Sequence, residues 1–406
     1  LDISTEFEKG NIPKCLEIYD SFLVTNHKIK NYEKILCSIS GGSDSDIMMD
    51  LFCRINKDKV KFVFFDTGLE YQATKDHLKE LEDKYNIEIA WIRAKKPIPI
   101  TCKEYGQPFL SKQVSEWIER LQRHNFKWVD KSFSELYKEY PKCKAALRWW
   151  CDEFGEDSKF NIRYNKGLKE FMISNPPKFK ISPKCCKYAK KDPVHEFIKD
   201  NDFDLNCYGV RKAEGGARST AYKNCFTNNA ESGAIDEYRP IFWYKDSTKK
   251  IYEEHFRVAH SKCYSEYGLK RTGCAGCPFN KEFEEELKII YNNEPKLFKA
   301  VTNIFKDSYD YTRRYREFVN QNFRSSDKDV LEGQISMLDC KSIEGFYLGD
   351  QFVNDCNGIV ATIIKIDKDS ILVDQARDNE KFSNLQLNFN WLSHLIEDGT
   401  LRRLSS

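Results

Sequence analysis

Lys34-Ile35-Leu36-Cys37-Ser38-Ile39, followed by Ser40-Gly41-Gly42-Ser43-Asp44-Ser45 and then by Asp46-Ile47-Met48-Met49-Asp50-Leu51-Phe52-Cys53-Arg54-Ile55, is the stretch that decides the fold. The first six residues are a short apolar run with strand character. The run stops at the glycines, and Ile47, Leu51 and Ile55 then recur at four-residue spacing along one helical face. The unit therefore reads strand, glycine turn, helix. Such a turn brings backbone N–H groups and the positive end of a helix dipole to one point, which suits a phosphate. Gly41 and Gly42 let the backbone approach an anion closely, and Ser40, Ser43 and Ser45 add hydroxyl donors. Asp44 offers a carboxylate to a backbone amide or to Mg²⁺. A Ser/Asp helix cap after a flexible turn accounts for the same residues about as well. No Gly-Lys-Ser/Thr follows and no Gly-x-Gly-x-x-Gly supports a dinucleotide fold, so the Walker and Rossmann readings fail.

Outward from this unit the pattern repeats. Val60-Lys61-Phe62-Val63-Phe64-Phe65 is nearly continuously apolar, as a strand buried on both faces of a parallel sheet is, and it ends at Asp66-Thr67-Gly68. A charged amphipathic helix over about 74–85, a third strand over 87–92 and a fourth over 205–210 complete the alternation. An α/β fold with a doubly wound, mainly parallel sheet is predicted. Residues 95–201 form a helical insertion between the third and fourth strands, with helical patterns over 112–123, 132–140 and 164–173. Residues 1–285 are thus expected to form one domain, 286–329 a charged helical segment, and 330–406 a small β-rich C-terminal module. In that module 358–367 and 370–374 read as a hairpin joined by an Asp-Lys-Asp turn.

Bulk properties exclude more than they select. A hydrophobic content of 40% with 14% aromatics excludes long disordered stretches, and a net charge of +2 gives no argument for a nucleic-acid partner. The N-terminus has no basic region followed by an apolar core, and no apolar stretch is long enough for a membrane span, so a cytoplasmic location without membrane contact is expected. Fifteen cysteines scattered through a large charged chain point to a reducing compartment. Two groups have the spacing of ligands: Lys184-Cys185-Cys186-Lys187 and Arg271-Thr272-Gly273-Cys274-Ala275-Gly276-Cys277-Pro278. A Cys-x-x-Cys turn directs two thiolates at one metal, and the flanking cations lower thiol pKa values and offset the charge of a cluster. Cys185, Cys186, Cys274 and Cys277 could hold an iron–sulfur cluster, a zinc ion, or nothing, as two unrelated pairs.

Ser40–Ser45 resembles the Ser-Gly-Gly-x-Asp-Ser signature of PP-loop enzymes, a superfamily that includes ATP pyrophosphatases and phosphoadenylyl-sulfate (PAPS) reductases. Asp66-Thr67-Gly68-Leu69-Glu70-Tyr71 resembles the Asp-Thr-Gly element that follows the second strand in the reductase branch. The resemblance covers roughly residues 30–285 and implies that Ser40–Ser45 and Asp66–Gly68 bind ATP, adenylyl sulfate (APS) or PAPS with Mg²⁺, with Asp44 and Asp66 as catalytic residues. The segment from Gly209-Val210-Arg211-Lys212 to Arg218-Ser219 resembles the family's basic substrate loop, which puts Arg211 and Arg218 on phosphate or sulfate oxygens. The Cys-Cys pair followed by Cys-x-x-Cys resembles the cluster-binding pattern of APS reductases and implies a 4Fe-4S cluster on Cys185, Cys186, Cys274 and Cys277. One family element is missing from these 406 residues. Neither Asp339-Cys340-Lys341 nor Asp355-Cys356-Asn357 has the Glu-Cys-Gly-x-His context of the reductase nucleophile. The expectation is therefore an ATP-dependent adenylating, sulfur-transferring enzyme acting on a nucleic-acid or small-molecule acceptor. The alternatives are a true sulfonucleotide reductase served by a thiol reductant protein, and a non-catalytic nucleotide-binding regulator.

Overall fold

The computed structural model describes residues 2–156, 158–215, 221–229 and 234–323, and beyond them the backbone of seven short segments of strand between 342 and 404. The chain divides into two units, Leu1–Asn322 and Phe323–Ser406.

The sheet of the first unit contains β1 (Ile35–Ile39), β2 (Val60–Asp66), β3 (Ile89–Arg93), β4 (Leu205–Tyr208), β5 (Phe226–Thr227) and β6 (Asp236–Tyr238), in the order β3-β2-β1-β4-β6-β5. All neighbours are parallel except β5 and β6, and Cys37 of β1 lies opposite Phe62 on one side and Cys207 on the other. The predicted α/β, doubly wound, mainly parallel architecture is the one observed. Ile35, Leu36 and Cys37 are buried because helices cover both faces of the sheet. The helix Ser43–Asn56 lays Ile47, Leu51 and Ile55 into the core, so the four-residue spacing read from the sequence is its inward face.

The chain adds β2 and β3 on one side of β1, then returns to place β4 on the other. Loops leaving the C-terminal ends of β1 and β4 therefore part in opposite directions and open a crevice at this switch point. Close backbone packing holds the crevice shut at its base. A Cβ on Gly209, just past β4, would stand 2.8 Å from the Asp44 carbonyl oxygen.

Among the described residues the insertion between β3 and β4 contains seven helices: Ile98–Tyr105, Lys112–Arg123, Phe133–Glu139, Lys144–Trp150, Leu168–Ser174, the short Lys184–Cys186 and Asp192–Asn201. The helix expected over 164–173 starts only at Leu168, because Ile162–Tyr164 is a 3-10 turn and Gly167 turns the chain with φ +65°. The last helices, Phe283–Asn293, Pro295–Ile304 and Lys306–Phe323, pack into the same unit. Tyr311 and Tyr315 join Trp149, Trp150 and Phe171 in the core of the insertion.

The second unit contains an antiparallel five-stranded sheet ordered Glu380–Asn388, Ser370–Arg377, Ile359–Ile366, Gln351–Asn354, Arg402–Leu404. The two strands expected as a hairpin are paired in it, while their Asp-Lys-Asp turn lies outside the described residues. Among the described residues no helix is long and apolar enough to cross a membrane.

The contact at Gly209 is with backbone, which cannot swing aside. Gly209→Ala is expected to lower stability by about 1–3 kcal/mol, as overpacking does. The measurement is a urea midpoint, expected to fall while the dependence on denaturant stays unchanged.

Candidate functional site

At the switch point lies a crevice of about 270 Å³. The turn after β1 supplies Ser40, Gly42, Ser43, Asp44 and Ser45, and the chain after β4 supplies Gly209 and Arg211. Lys249, Tyr264, Lys270, Arg271 and Thr272 close the rim. Gly41 has φ +65°, and a Cβ there would stand 2.6 Å from the Thr74 methyl, so the turn requires glycine for two separate reasons. The Ser45 hydroxyl fixes the turn from inside. It donates to the Gly42 carbonyl (2.8 Å) and accepts from the N–H groups of Gly42 (3.1 Å) and Ser40 (3.2 Å). The Ser43 N–H donates to the Tyr264 hydroxyl (3.1 Å), which is also bonded to Thr272 (3.0 Å).

Asp44 is the hub of the crevice. Arg211 Nε donates to both of its oxygens, at 3.0 and 2.9 Å, and Lys249 Nζ reaches Asp44 Oδ1 (2.7 Å) and Ser43 Oγ (2.5 Å). The other side of the guanidinium donates to Asp246 (2.8 Å). Asp44 thus has both oxygens engaged by cations. Arg211 is in the crevice as expected, buried and tied to two carboxylates. Arg218 lies outside the described residues. Lys249 was not anticipated. It stands on the helix Asp246–Phe256, four residues before Glu253, and its neighbours in sequence match no motif.

Behind the turn, Lys249 leads to Glu253 (3.7 Å), Glu253 to His260 Nε2 (2.8 Å), and His260 Nδ1 to the buried Asp46 (2.8 Å). His77 Nε2 approaches the same Asp46 oxygen at 3.1 Å. Burial opposes the charge on His260, but the hydrogen bonds to Asp46 and Glu253 outweigh it and raise its pKa to about 9. Burial likewise opposes the charge on Asp46, and the two histidines still hold its carboxyl below the usual range.

On the other side of the turn, the Asp66–Tyr71 loop is bound to the Cys-x-x-Cys turn. Asp66 accepts the Gly68 N–H (2.8 Å) and lies 3.8 Å from Lys75. Thr67 donates to Glu70 (2.6 Å) and stands 3.7 Å from Cys274 Sγ. The Leu69 carbonyl accepts the Ala275 N–H (2.9 Å). Glu286 then ties the two segments together, accepting from Tyr71 (2.5 Å), the Gly276 N–H (3.0 Å) and Asn280 (2.7 Å).

Cys185 and Cys186 arrive on the short helix Lys184–Cys186, which runs into a π-helical turn, Lys187–Lys191. The four cysteines are close enough to perturb one another: Cys186 acts on Cys274 and Cys277, and Cys277 acts on Cys185. A hydrogen bond to Cys102, a fifth cysteine that the spacing argument missed, pushes the Cys185 thiol up. Burial pushes Cys277 up to about 12. Lys190 hydrogen-bonds Cys274. That sulfur holds its ammonium above the ordinary lysine range against the cost of burial, and Glu70 adds to the effect. Among the described residues no group of three or more His, Cys, Asp or Glu side chains is arranged to hold a metal ion.

Residues 34–147 match the family model of the phosphoadenosine phosphosulfate reductase domain. Over those residues the chain is similar to this reductase domain. The matched stretch holds β1, β2, β3 and the first helices of the insertion, while Arg211, Lys249 and the four cysteines lie beyond it. An uncharacterized protein of Methanocaldococcus jannaschii is 26% identical over 286 residues, which are 69% of this chain and 44% of that protein. The chain thus spans less than half the length of this curated relative. Among solved structures, a PAPS reductase from Candida auris in phosphate complex aligns at 14% identity and TM-score 0.35, over 63% of this chain and 87% of that one. The U34-tRNA thiolase NcsA from Methanococcus maripaludis, with its 4Fe-4S cluster, aligns at 12% identity and TM-score 0.30, over 77% and 85%. An NH3-dependent NAD synthetase from Campylobacter jejuni aligns at 12% identity and TM-score 0.30, over 77% and 96%.

The raised pKa of His260 makes a signed prediction. Its contribution to stability is fully present below pH 6.5 and is lost as pH rises through about 9. Thermal melts of the protein between pH 6.5 and 10 are expected to fall, and His260→Gln is expected to flatten that fall. Parallel curves for the two proteins would mean that the Asp46–His260–Glu253 chain does not stabilise the turn.

Proposed function

We propose that the crevice binds an adenine nucleotide and that the chain is an ATP-dependent adenylating enzyme that passes sulfur to an acceptor. One observation carries the reading: the Ser40–Ser45 turn, preformed by Ser45, opens at the switch point beneath Arg211, Lys249, Lys270 and Arg271. These are groups for phosphate oxygens, and no cysteine lines the crevice among the described residues. In this reading an acceptor oxygen attacks the α-phosphorus of ATP, pyrophosphate leaves along the turn, and a sulfur nucleophile then displaces AMP. The chain's part in the first step is positioning and charge compensation. In this reading the phosphates meet Lys249, Lys270 and Arg271 and replace the Tyr264 hydroxyl on the Ser43 N–H, while Asp44 keeps Arg211 and Lys249 in place above them. Mg²⁺ enters with the triphosphate.

Cys185, Cys186, Cys274 and Cys277 fit a thiolate-bound centre in their donor chemistry. Four sulfurs come from two turns, with the Lys190 cation against them to offset negative charge. These four would hold a 4Fe-4S cluster, which would carry or present sulfur when bound.

Calorimetric titration is expected to give ATP binding that weakens about ten- to a hundredfold in Ser45→Ala, which leaves the Ser40 and Gly42 N–H groups without the acceptor that preforms the turn. Slow release of AMP and pyrophosphate is expected, abolished by Asp44→Ala, with negligible sulfite from APS or PAPS and thioredoxin. Substantial sulfite would restore the reductase reading, and unchanged ATP affinity in Ser45→Ala would reduce the turn to a helix cap.

Protein purified anaerobically is expected to carry iron and acid-labile sulfide at about four each per chain, and Cys274→Ser is expected to lose both metal and stability. One zinc per chain would make the centre structural, and four free thiols would exclude both.

A further inference from the structure

A second cleft, of about 700 Å³, lies apart from the nucleotide crevice, between the insertion helix Lys112–Arg123 and the segment 183–195. Seven lysines and arginines line it against three carboxylates. All three carboxylates are already engaged: Glu116 with Arg120 (2.5 Å), Glu119 with Arg123 (2.8 Å) and Lys184 (2.6 Å), and Asp192 with Lys187 (2.7 Å). Lys112, Lys142 and Lys191 are exposed and have no carboxylate within 4.0 Å among the described residues. The whole chain carries only +2, so this excess of positive charge is local.

A lysine-rich face is ordinarily just solvated. Two features set this one apart: it is concave, and Cys186 forms part of its wall. Cys186 interacts with Cys185, Cys274 and Cys277, and Cys274 is only two residues beyond Thr272 on the rim of the nucleotide crevice. The cysteines thus join the wall of this cleft, through Cys186, to the chain segment that supplies the rim of the other, through Cys274.

We propose that this basic cleft seats a phosphate-bearing ligand, with the end to be modified facing Cys186. As the seat of the sulfur acceptor it rests on the function proposed above; as an anion site it stands alone. Phosphate is favoured over a lone carboxylate because three unpaired ammonium groups suit a multiply charged oxyanion. The phosphates come either from a polynucleotide or from a small phosphorylated molecule.

The test uses the full chain with a fluorescein-labelled 12-nucleotide RNA and its DNA counterpart, and in parallel calorimetry with ribose 5-phosphate. For a polynucleotide, Lys112→Glu/Lys191→Glu is expected to weaken oligonucleotide binding at least tenfold and to lower the salt slope by about two. Lys112→Arg/Lys191→Arg is expected to restore it, which separates lost charge from misfolding. For a small ligand, only ribose 5-phosphate binds, and its binding is lost in the same glutamate pair. Lys250→Glu/Lys262→Glu, on exposed lysines elsewhere, is expected to change neither. Binding of both probes that is indifferent to Lys112 and Lys191, or absent altogether, overturns the proposal. Ser45→Ala keeps the two readings apart: it is expected to lose ATP and leave cleft binding intact. Unchanged ATP binding in Ser45→Ala together with charge-dependent cleft binding would remove the nucleotide function and keep the cleft.

Discussion

The carboxylate of Asp44, held between Arg211 and Lys249, is the interaction on which the crevice depends. Asp44 belongs to the turn after β1, Arg211 to the chain after β4, and Lys249 to a helix that follows β6. Two cations sharing one anion, with the Arg211–Asp246 pair beside them, tie these three segments into one surface. Asp44 and Arg211 are both largely shielded from water, so removing the carboxylate would leave charge unpaired at low dielectric, a loss of about 3–5 kcal/mol in comparable pairs. The same geometry fixes both cations against the turn, in the lining of the crevice.

The cysteine region depends on Glu286 in a similar way. Its two oxygens collect the Tyr71 hydroxyl, the Gly276 N–H and the Asn280 amide, and so join the loop after β2 to the Cys-x-x-Cys turn. Tyr309, from the last long helix, donates its hydroxyl to the Gly276 carbonyl from the other side. The C-terminal helices of the first unit are thus part of the scaffold of the thiols.

Much of this was legible in the sequence where a local pattern carries the signal. β1, β2 and the turn between β1 and its helix follow from an apolar run, glycines and a four-residue repeat, and Lys112–Arg123 appears at its predicted ends. β6 was not legible, because Asp236-Glu237-Tyr238 has no apolar alternation and is a strand through its pairing with β4 and β5. The helix Leu16–Asn31 was overlooked although Ile18, Phe22 and Ile29 line its buried face. At the site, residues with motif spacing were found and residues placed by tertiary contact were not. Lys249, Tyr264, Lys190, Glu70 and Cys102 reach their places from helices and loops whose own sequences give no reason to single them out. Arg271, three residues before Cys274, also lines the crevice.

The pair Asp44–Arg211 joins residues 167 positions apart, and the insertion with all its helices lies between them. Closing so long a loop costs entropy before the ion pair can return any stabilisation, and parallel pairing of β4 on β1 has the same requirement. The strand–turn–helix unit can form early from local contacts alone, but the half of the crevice that follows β4 cannot. The crevice therefore matures only after the insertion has folded and brought β4 back to the sheet. Ligand competence should then lag behind the appearance of secondary structure during refolding, and a chain still emerging during synthesis would present the turn long before it could hold a ligand.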